Sequence, residues 1–348
     1  MLLDKNIRIV LIQGAYLDTV KAKFIMSLKN GSILVTGGAG FMGSHLVDRL
    51  VQEDPDNLVV VDNFFLGKEA NLNDAKRAYP NLKIYNQDAS DLQAMSKVLK
   101  DENVDVVFNL AVVPLLVSLR KPKWTFEQNV HITGAVCELA RGDLFETLIH
   151  FSSSEAYGTC EYAPMDEKHP LDPRTPYAAS KAASDQLIFS YWNTFGIDAS
   201  IIRPFNNYGP RQNEGSYAGV IPLTIRRILG GQPPVVYGDG KQTRDYLFVA
   251  DTVDAAVKVY ECKSTRKRVL NIASGKEISI ESVIRTISEH LDAGKKQIIY
   301  EPERLGDVRR HIANTFLAED LLGFKPTIDL NEGLKRTIEW YRELGVRR

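Results

Sequence analysis

Residues 31–50 read GSILVTGGAGFMGSHLVDRL, and this stretch decides the fold. Its apolar run Ile33-Leu34-Val35 predicts a buried strand, and the amphipathic residues after the glycines predict a helix. Between them, Gly37, Gly40 and Gly43 follow one another at intervals of three residues. A strand, a glycine turn and a helix N-terminus in this order form a phosphate cradle, because small residues let the backbone approach a pyrophosphate and the helix dipole faces its charge. The stretch therefore predicts a dinucleotide-binding loop.

A second buried strand, Leu58-Val59-Val60-Val61, ends at Asp62, about 20 residues past the last glycine. A carboxylate at this place binds the ribose hydroxyls of adenosine and repels a 2′-phosphate, so NAD is expected rather than NADP. The alternative, a glycine-rich loop that only turns the chain, does not account for strand, helix and acid together. The predicted residues of the phosphate loop and ribose site are Gly37, Gly40, Phe41, Met42, Gly43, Asp62 and Asn63.

The composition excludes several classes of protein. The chain has 348 residues, 44% of them hydrophobic, which is enough for two domains or one large domain with a subdomain. A formal net charge of −1 gives no basic field for nucleic acid or for an acidic membrane. Three cysteines, widely separated and odd in number, argue against a disulfide framework and a zinc site and fit a reducing cytoplasm. We therefore expect a cytoplasmic protein without a metal, a nucleic-acid partner or a membrane partner.

The order of patterns along the chain predicts the fold class. Strand and helix patterns alternate from residue 32 to about 203, which indicates a parallel sheet covered by helices on both faces. We expect an α/β protein: a Rossmann-type doubly wound parallel sheet with a smaller C-terminal substrate-binding subdomain. Ligands of such sheets bind at the carboxyl ends of the strands.

The predicted domain boundaries follow changes in composition. An N-terminal extension covers 1–31, an NAD-binding domain covers 32–203 plus 243–273, and the substrate-binding subdomain covers 204–242 plus 274–348. Within the extension, residues 7–12 predict a strand and residues 18–28 a short amphipathic helix.

The candidate chemistry lies in Tyr177-Ala178-Ala179-Ser180-Lys181, which follows Pro176 at the start of a predicted helix. Residues four apart share a helix face, so Tyr177 and Lys181 are expected to point together into the cleft. A lysine ammonium beside a phenol lowers the phenol pKa from about 10, and the phenolate is a general base. The alternative is a solvated surface pair. Ser153, at the end of another predicted strand, is expected either to bind the same substrate oxygen or to form a polar turn.

Taken together, these motifs indicate a family. The chain resembles the extended short-chain dehydrogenase/reductase superfamily, in its nucleotide-sugar epimerase/dehydratase branch. The resemblance covers nearly everything from residue 32 onward. The matching motifs are TGGAGFMG (36–43), DN (62–63), NLA (109–111), SSSEAYG (152–158), YAASK (177–181), RPFNNYG (203–209), YGDGKQTRDYLFVAD (237–251) and RLGDV (304–308).

The resemblance implies roles for individual residues. Tyr177 is the base, Lys181 holds the nicotinamide ribose, and Ser153 bridges substrate and tyrosine. The implied cofactor residues beyond the phosphate loop are Asp88 and Ala89 beside adenine, and Leu110 and Ala111 along the cofactor channel. The implied substrate residues are Asn206, Arg244 and Arg304 at the diphosphate and Tyr237 at the nucleobase or in the core. The implied partners are a nucleoside-diphosphate sugar and a second copy of the chain, paired through helices over 122–141 and 177–195.

The reaction is less determined than the family. All members of this branch first oxidise the sugar at C4, and the ketone then turns over in a 4-epimerase, loses water in a 4,6-dehydratase or loses carbon dioxide in a decarboxylase. The pair Ser154-Glu155 resembles GDP-mannose-type dehydratases and UDP-glucuronate decarboxylases, and a carboxylate suits abstraction of the C5 proton. The tail GDVRRHIAN (306–314) lacks the Arg-x-Pro-x-Ile pattern of the decarboxylases. We expect a dehydratase; the alternatives are a 4-epimerase, then a decarboxylase, a plain reductase, or an NAD-binding sensor or scaffold without chemistry.

Overall fold

The computed structural model describes residues 7–13, 20–213, 218–293, 297–304 and 306–346. Its strands are β1 (Ile7–Gln13), β2 (Val20–Met26), β3 (Ser32–Thr36), β4 (Asn57–Asp62), β5 (Lys83–Asn86), β6 (Val106–Asn109), β7 (Thr147–Phe151), β8 (Asp198–Pro204), β9 (Asn206–Tyr208), β10 (Val235–Tyr237), β11 (Thr243–Phe248), β12 (Val269–Ile272), β13 (Glu277–Ser279) and β14 (Ile299–Glu301). Its helices are α1 (Phe41–Val51), α2 (Asn73–Ala78), α3 (Leu92–Glu102), α4 (Leu115–Ser118), α5 (Pro122–Arg141), α6 (Pro176–Thr194), α7 (Val220–Leu229), α8 (Val249–Glu261), α9 (Ile280–His290), α10 (Phe316–Leu322) and α11 (Leu330–Val346).

The central element is a seven-stranded sheet in the order β12-β8-β7-β6-β3-β4-β5, in which every neighbouring pair is parallel. Along β3, Ile33 and Val35 pack into one apolar cluster with α1 and α8, whereas Leu34 packs into a second cluster with α3, α5 and α6. Successive strand residues point to opposite faces, so an unbroken apolar run indicates a sheet buried on both sides. The predicted Rossmann-type sheet is confirmed.

A smaller part of the chain has its own core. Strands β13, β11 and β9 form a three-stranded sheet, and β10 pairs with β14. Apolar residues of α7, α9 and α11 pack against β9 and β11, and Ile221, Ile284 and Leu334 are at most 2% exposed. Residues 243–273, which the sequence assigns to the NAD-binding domain, contain two strands. Strand β12 joins the large sheet, whereas β11 pairs with β9 and β13.

One predicted element in the N-terminal extension is wrong. The expected strand over 7–12 is present as β1, but the expected helix over 18–28 is replaced by β2, which pairs antiparallel with β1 from Val20 to Met26. The first two residues of that predicted helix lie outside the described residues. A short apolar segment does not distinguish helix from strand by periodicity, and the neighbouring β1 supplies the ladder that decides between them. No helix in the described part of the chain is long and apolar enough to cross a bilayer.

Candidate active site

The phosphate loop depends on close backbone contacts. Gly37 has φ +67°, and a Cβ on it would lie 2.8 Å from the nitrogen of Ala111. A Cβ on Gly43 would lie 2.1 Å from the carbonyl oxygen of Gly37. Helix α1 begins at Phe41 without a side-chain cap and without an acidic residue in its first turn. The N–H groups of this turn precede the first helical hydrogen bond, so the loop has the donors and the space that a pyrophosphate needs.

Asp62 lies at the carboxyl end of β4 and is 7% exposed. Its carboxylate accepts hydrogen bonds from the N–H groups of Ala39 (2.9 Å) and Phe64 (2.8 Å). Burial, the largest effect, raises the pKa of this carboxyl, and the two backbone donors act in the opposite direction. Asp62 therefore ties the loop after β4 to the phosphate loop, with its carboxylate at the wall of the cavity described below.

Asp88, beyond the end of β5, is held by three neighbours. It accepts from the Ser90 hydroxyl (2.7 Å), the Asn63 amide (3.2 Å) and the Gln128 amide (3.0 Å). Burial alone would raise the pKa of this carboxyl, but the hydrogen bonds lower it on balance. Asp88 thus stays ionised and fixed at the edge of the sheet, where a nucleobase could contact it.

Helix α6 carries the candidate base. Thr175 caps the helix by accepting a hydrogen bond from the Ala178 N–H at 3.1 Å, and Pro176 occupies the first turn. Opposite it, Ser153 caps a short 3₁₀ turn (Ser154–Tyr157) that follows β7, accepting from the Glu155 N–H at 3.2 Å. Both segments start at the carboxyl edge of the sheet, so Ser153, Glu155 and Tyr177 all reach the same cavity.

The pKa of the Tyr177 phenol differs from the expectation. Burial raises it to about 12; the Ser153 hydroxyl lowers it and the Glu155 carboxylate raises it further. The sequence predicted a lowered pKa through Lys181. Desolvation sets this pKa instead, and Lys181 is not among the groups that shift it.

Lys181 lies behind the cavity wall rather than in it. Its ammonium donates to the carbonyl oxygen of Phe151 at 2.7 Å, and the side chain is buried. Burial lowers the pKa of this lysine to about 8, against a smaller opposing effect of Asp185. The spacing of Tyr177 and Lys181 correctly predicts a shared helix. Lys181 binds the Phe151 carbonyl oxygen at the end of β7, and Tyr177 interacts with Ser153, which follows the same strand.

A cavity of about 540 Å³ opens along the carboxyl edge of the large sheet. It brings together most of the residues that the sequence singled out. Those in its wall are Gly37, Gly40, Phe41, Met42, Gly43, Asp62, Asn63, Asp88, Ala89, Leu110, Ala111, Ser153, Ser154, Glu155, Tyr177 and Asn206. Glu155 lies in the wall and makes no side-chain hydrogen bond or ion pair to another described residue. Its charge raises the pKa of the buried His311, against the larger lowering effect of burial.

Three of the expected substrate residues lie outside this cavity. The Arg304 guanidinium stacks over the Tyr237 ring at 3.9 Å, and Arg244 is buried, bound to the Asp307 carboxylate and to the Thr243 carbonyl oxygen (2.8 Å). Asn206 is in the wall, and its side-chain oxygen is buried with no hydrogen-bond partner in the described structure. The roles expected for these residues at a diphosphate stay predictions.

Sequence reasoning missed several wall residues. Arg211 lies in the wall and donates to Asp48 (2.5 Å) and to Asp74 (2.7 Å), joining the loop after β9 to α1 and α2. Phe65 and Trp124 lie at the rim. Pro210-Arg211, directly after the recognised motif RPFNNYG (203–209), was the available signal for the arginine. Nothing in the local sequence signals that the two rings meet.

Comparison with known proteins gives the family. The family profile for GDP-mannose 4,6 dehydratase matches residues 34–337. A putative UDP-glucose 4-epimerase of Methanocaldococcus jannaschii is 36% identical over 89% of this chain and 98% of its own length. The structure of a UDP-glucose 4-epimerase from Thermotoga maritima with UDP-glucose superimposes with a TM-score of 0.84 at 32% identity, covering 90% of this chain and 99% of that one. A dTDP-glucose 4,6-dehydratase from Streptomyces venezuelae with NAD bound gives a TM-score of 0.84 at 30% identity, covering 90% and 97%.

The fold and site define an extended short-chain dehydrogenase/reductase. Within that superfamily, the chain belongs to the NAD-dependent nucleotide-sugar epimerases and dehydratases. The residues present fit NAD: the glycine loop admits a pyrophosphate, and Asp62 and Asp88 present carboxylates along the wall. The expected family and cofactor are confirmed.

Proposed function

We propose that the protein is a nucleoside-diphosphate-sugar 4,6-dehydratase that oxidises the sugar transiently at C4. The observation that supports this proposal is the Glu155 carboxylate, which lies in the cavity wall, raises the Tyr177 pKa and has no hydrogen-bonded or ion-paired side chain among the described residues. Removal of the C5 proton needs a basic side chain next to the sugar ring. Simple epimerisation at C4 needs no such second base.

The chain's own residues have separate tasks. Tyr177 takes the proton of the sugar 4-hydroxyl, and Ser153 hydrogen-bonds the same oxygen. NAD held by the glycine loop and Asp62 would supply hydride transfer, taking the hydride from C4 and giving it back at C6, so no cofactor would be consumed overall. Glu155 then removes the C5 proton and passes it to the C6 hydroxyl, which leaves as water. The proton that Tyr177 took from the 4-hydroxyl replaces the one lost from C5. The apolar residues Val113 and Leu115 in the wall limit the access of bulk water to the keto sugar.

A 4-epimerase is the second candidate. It is favoured by the relatives from Methanocaldococcus jannaschii and Thermotoga maritima, which are described as UDP-glucose 4-epimerases. In this alternative Tyr177 and Ser153 act as above, and the ketone rotates before hydride returns to its other face. Glu155 would then only contribute charge beside the phenol.

Mass analysis after incubation with a panel of nucleotide sugars separates the reactions. Loss of water supports the dehydratase, an unchanged mass with an inverted C4 supports the epimerase, and loss of carbon dioxide supports a decarboxylase. A protein that forms no NADH transiently with any sugar, but binds NAD, is a sensor or scaffold. Net consumption of cofactor indicates a reductase.

Glu155→Gln tests the role of the carboxylate. We expect dehydrated product to fall about 10²-fold or more while transient NADH formation continues. Because Glu155 raises the Tyr177 pKa, the pH at which NADH formation accelerates should also move down in this variant. Glu161→Gln, an exposed carboxylate on the same loop, is the matched control and should behave as wild type. Normal dehydration by Glu155→Gln would contradict the proposal and favour epimerisation.

Tyr177→Phe tests the base. We expect it to abolish transient NADH formation while the nucleotide sugar still binds, because only the hydroxyl is removed. Retained turnover would show that another group accepts the proton.

A further inference from the structure

Two large aromatic side chains are exposed at the rim of the cavity. Phe65 is 45% exposed and Trp124 is 38% exposed, and both line the cavity. Their ring centroids are 5.5 Å apart at an interplanar angle of 67°. Neither ring has a task in the oxidation of a sugar. Exposed aromatic surface at the edge of a cleft is typical of a binding surface, because a ligand that covers it removes apolar area from water and is thereby stabilised.

The two rings come from the two segments that hold Asp88. Phe65 lies two residues after Asn63, whose amide donates to Asp88 at 3.2 Å. Trp124 lies one helical turn before Gln128, whose amide donates to the same carboxylate at 3.0 Å. The two rings therefore lie near Asp88, in the wall of the cavity that Asp62 also lines.

One side of Trp124 is already covered. The Lys121 ammonium lies 5.3 Å from the centroid of its ring. Phe65 approaches Trp124 edge to face. The apolar surface that remains belongs to the cavity rim, and the flat, apolar faces of a purine match it.

We propose that Phe65 and Trp124, together the aromatic cap, contact the adenine of NAD and retard its release. Asp62 and Asp88 then provide polar contacts along the edge of the adenosine, and the cap covers its face. A redox-neutral enzyme regenerates its cofactor at every turnover, so slow dissociation suits the chemistry. This inference rests on NAD binding and not on which reaction follows.

Dissociation of NAD from full-length Phe65→Ala and Trp124→Ala tests the cap. We expect each variant to release NAD about tenfold faster and bind it about tenfold more weakly, which is the effect of losing one base–aromatic contact. ADP-ribose should lose affinity by a similar factor, because it retains the adenosine. Binding of NAD should also change the Trp124 fluorescence, and this signal should disappear in Trp124→Phe, which keeps an aromatic ring and most of the affinity.

Phe126→Ala is the matched control. Phe126 is 38% exposed, on the same helix as Trp124, and outside the cavity wall. This variant should keep the wild-type dissociation rate. Unchanged NAD release from folded Phe65→Ala and Trp124→Ala, or an equal acceleration in Phe126→Ala, would overturn the cap. A wild type that binds neither NAD nor ADP-ribose would overturn the proposed function as well, whereas tight NAD binding without any sugar turnover would overturn that function alone.

Discussion

Gly43→Ala is the sharpest perturbation of the dinucleotide loop. The added Cβ would lie 2.1 Å from the Gly37 carbonyl oxygen and 2.9 Å from the Gly38 Cα. These are backbone atoms, so no side chain can rotate away. The contacts must lengthen by about 1 Å, which moves either the start of α1 or the loop itself.

The cost follows from what the loop must give up. The Gly37 carbonyl oxygen accepts the Gly40 N–H at 3.1 Å, and the Gly37 N–H donates to Val61 at 2.8 Å. Losing about one of these bonds costs roughly 1 kcal/mol, and overpacking adds about 1–3 kcal/mol. We expect the melting temperature to fall by about 5 °C. The loop that approaches the pyrophosphate is displaced too, so NAD affinity should fall about 10²-fold or more.

Thermal melting with and without NAD measures both effects. Ligand that binds only the folded chain stabilises the wild type by about 2.7 kcal/mol at a concentration one hundred times its Kd, and Gly43→Ala should lose most of this gain. Gly134→Ala is the control, because Gly134 is also helical but a Cβ there meets nothing closer than 3.9 Å. It should leave NAD stabilisation intact. A Gly43→Ala protein that NAD stabilises as much as wild type would refute the reasoning.

Two further perturbations concern buried charges. The pKa of Lys181 is about 8 in the folded chain against 10.5 ordinarily, so between these values the unfolded chain holds a proton that the folded chain has lost, and stability rises with pH. The free energy of unfolding of the wild type should rise by roughly 3 kcal/mol between pH 8 and pH 10.5, and Lys181→Met should remove this rise. Urea unfolding at the two pH values measures it, and parallel pH profiles for the two proteins would contradict the prediction. Arg203 is 2% exposed and binds the buried Asp185 through its Nε at 2.9 Å. Arg203→Met leaves that carboxylate with only the smaller charge effect of Lys181 and should cost about 3–5 kcal/mol in the same assay at neutral pH. Adding Asp185→Asn should recover part of the loss, and no recovery would mean that packing of Arg203 on Tyr157 dominates.

The large sheet was predictable because its signals are local. The short apolar runs of β3 and β4 indicate strands that are buried on both faces. The few glycines between them indicate a close approach of the backbone to a ligand. The same kind of signal failed at β2, where seven residues carry too little periodicity and the antiparallel partner β1 decides the conformation. It also failed for β11, whose pairing with β9 and β13 depends on strands far apart in the chain.

The sequence by itself determined the family, the cofactor loop and the positions of Ser153, Glu155 and Tyr177 on one sheet edge. Local residue patterns are enough to predict where a strand ends and where a helix begins. Only the tertiary structure decided that burial raises the pKa of Tyr177, and that the Lys181 ammonium binds the Phe151 carbonyl oxygen. It alone brought Phe65 and Trp124 together across 59 residues of chain. Desolvation and contacts between distant segments arise from packing, and no spacing along the chain specifies them.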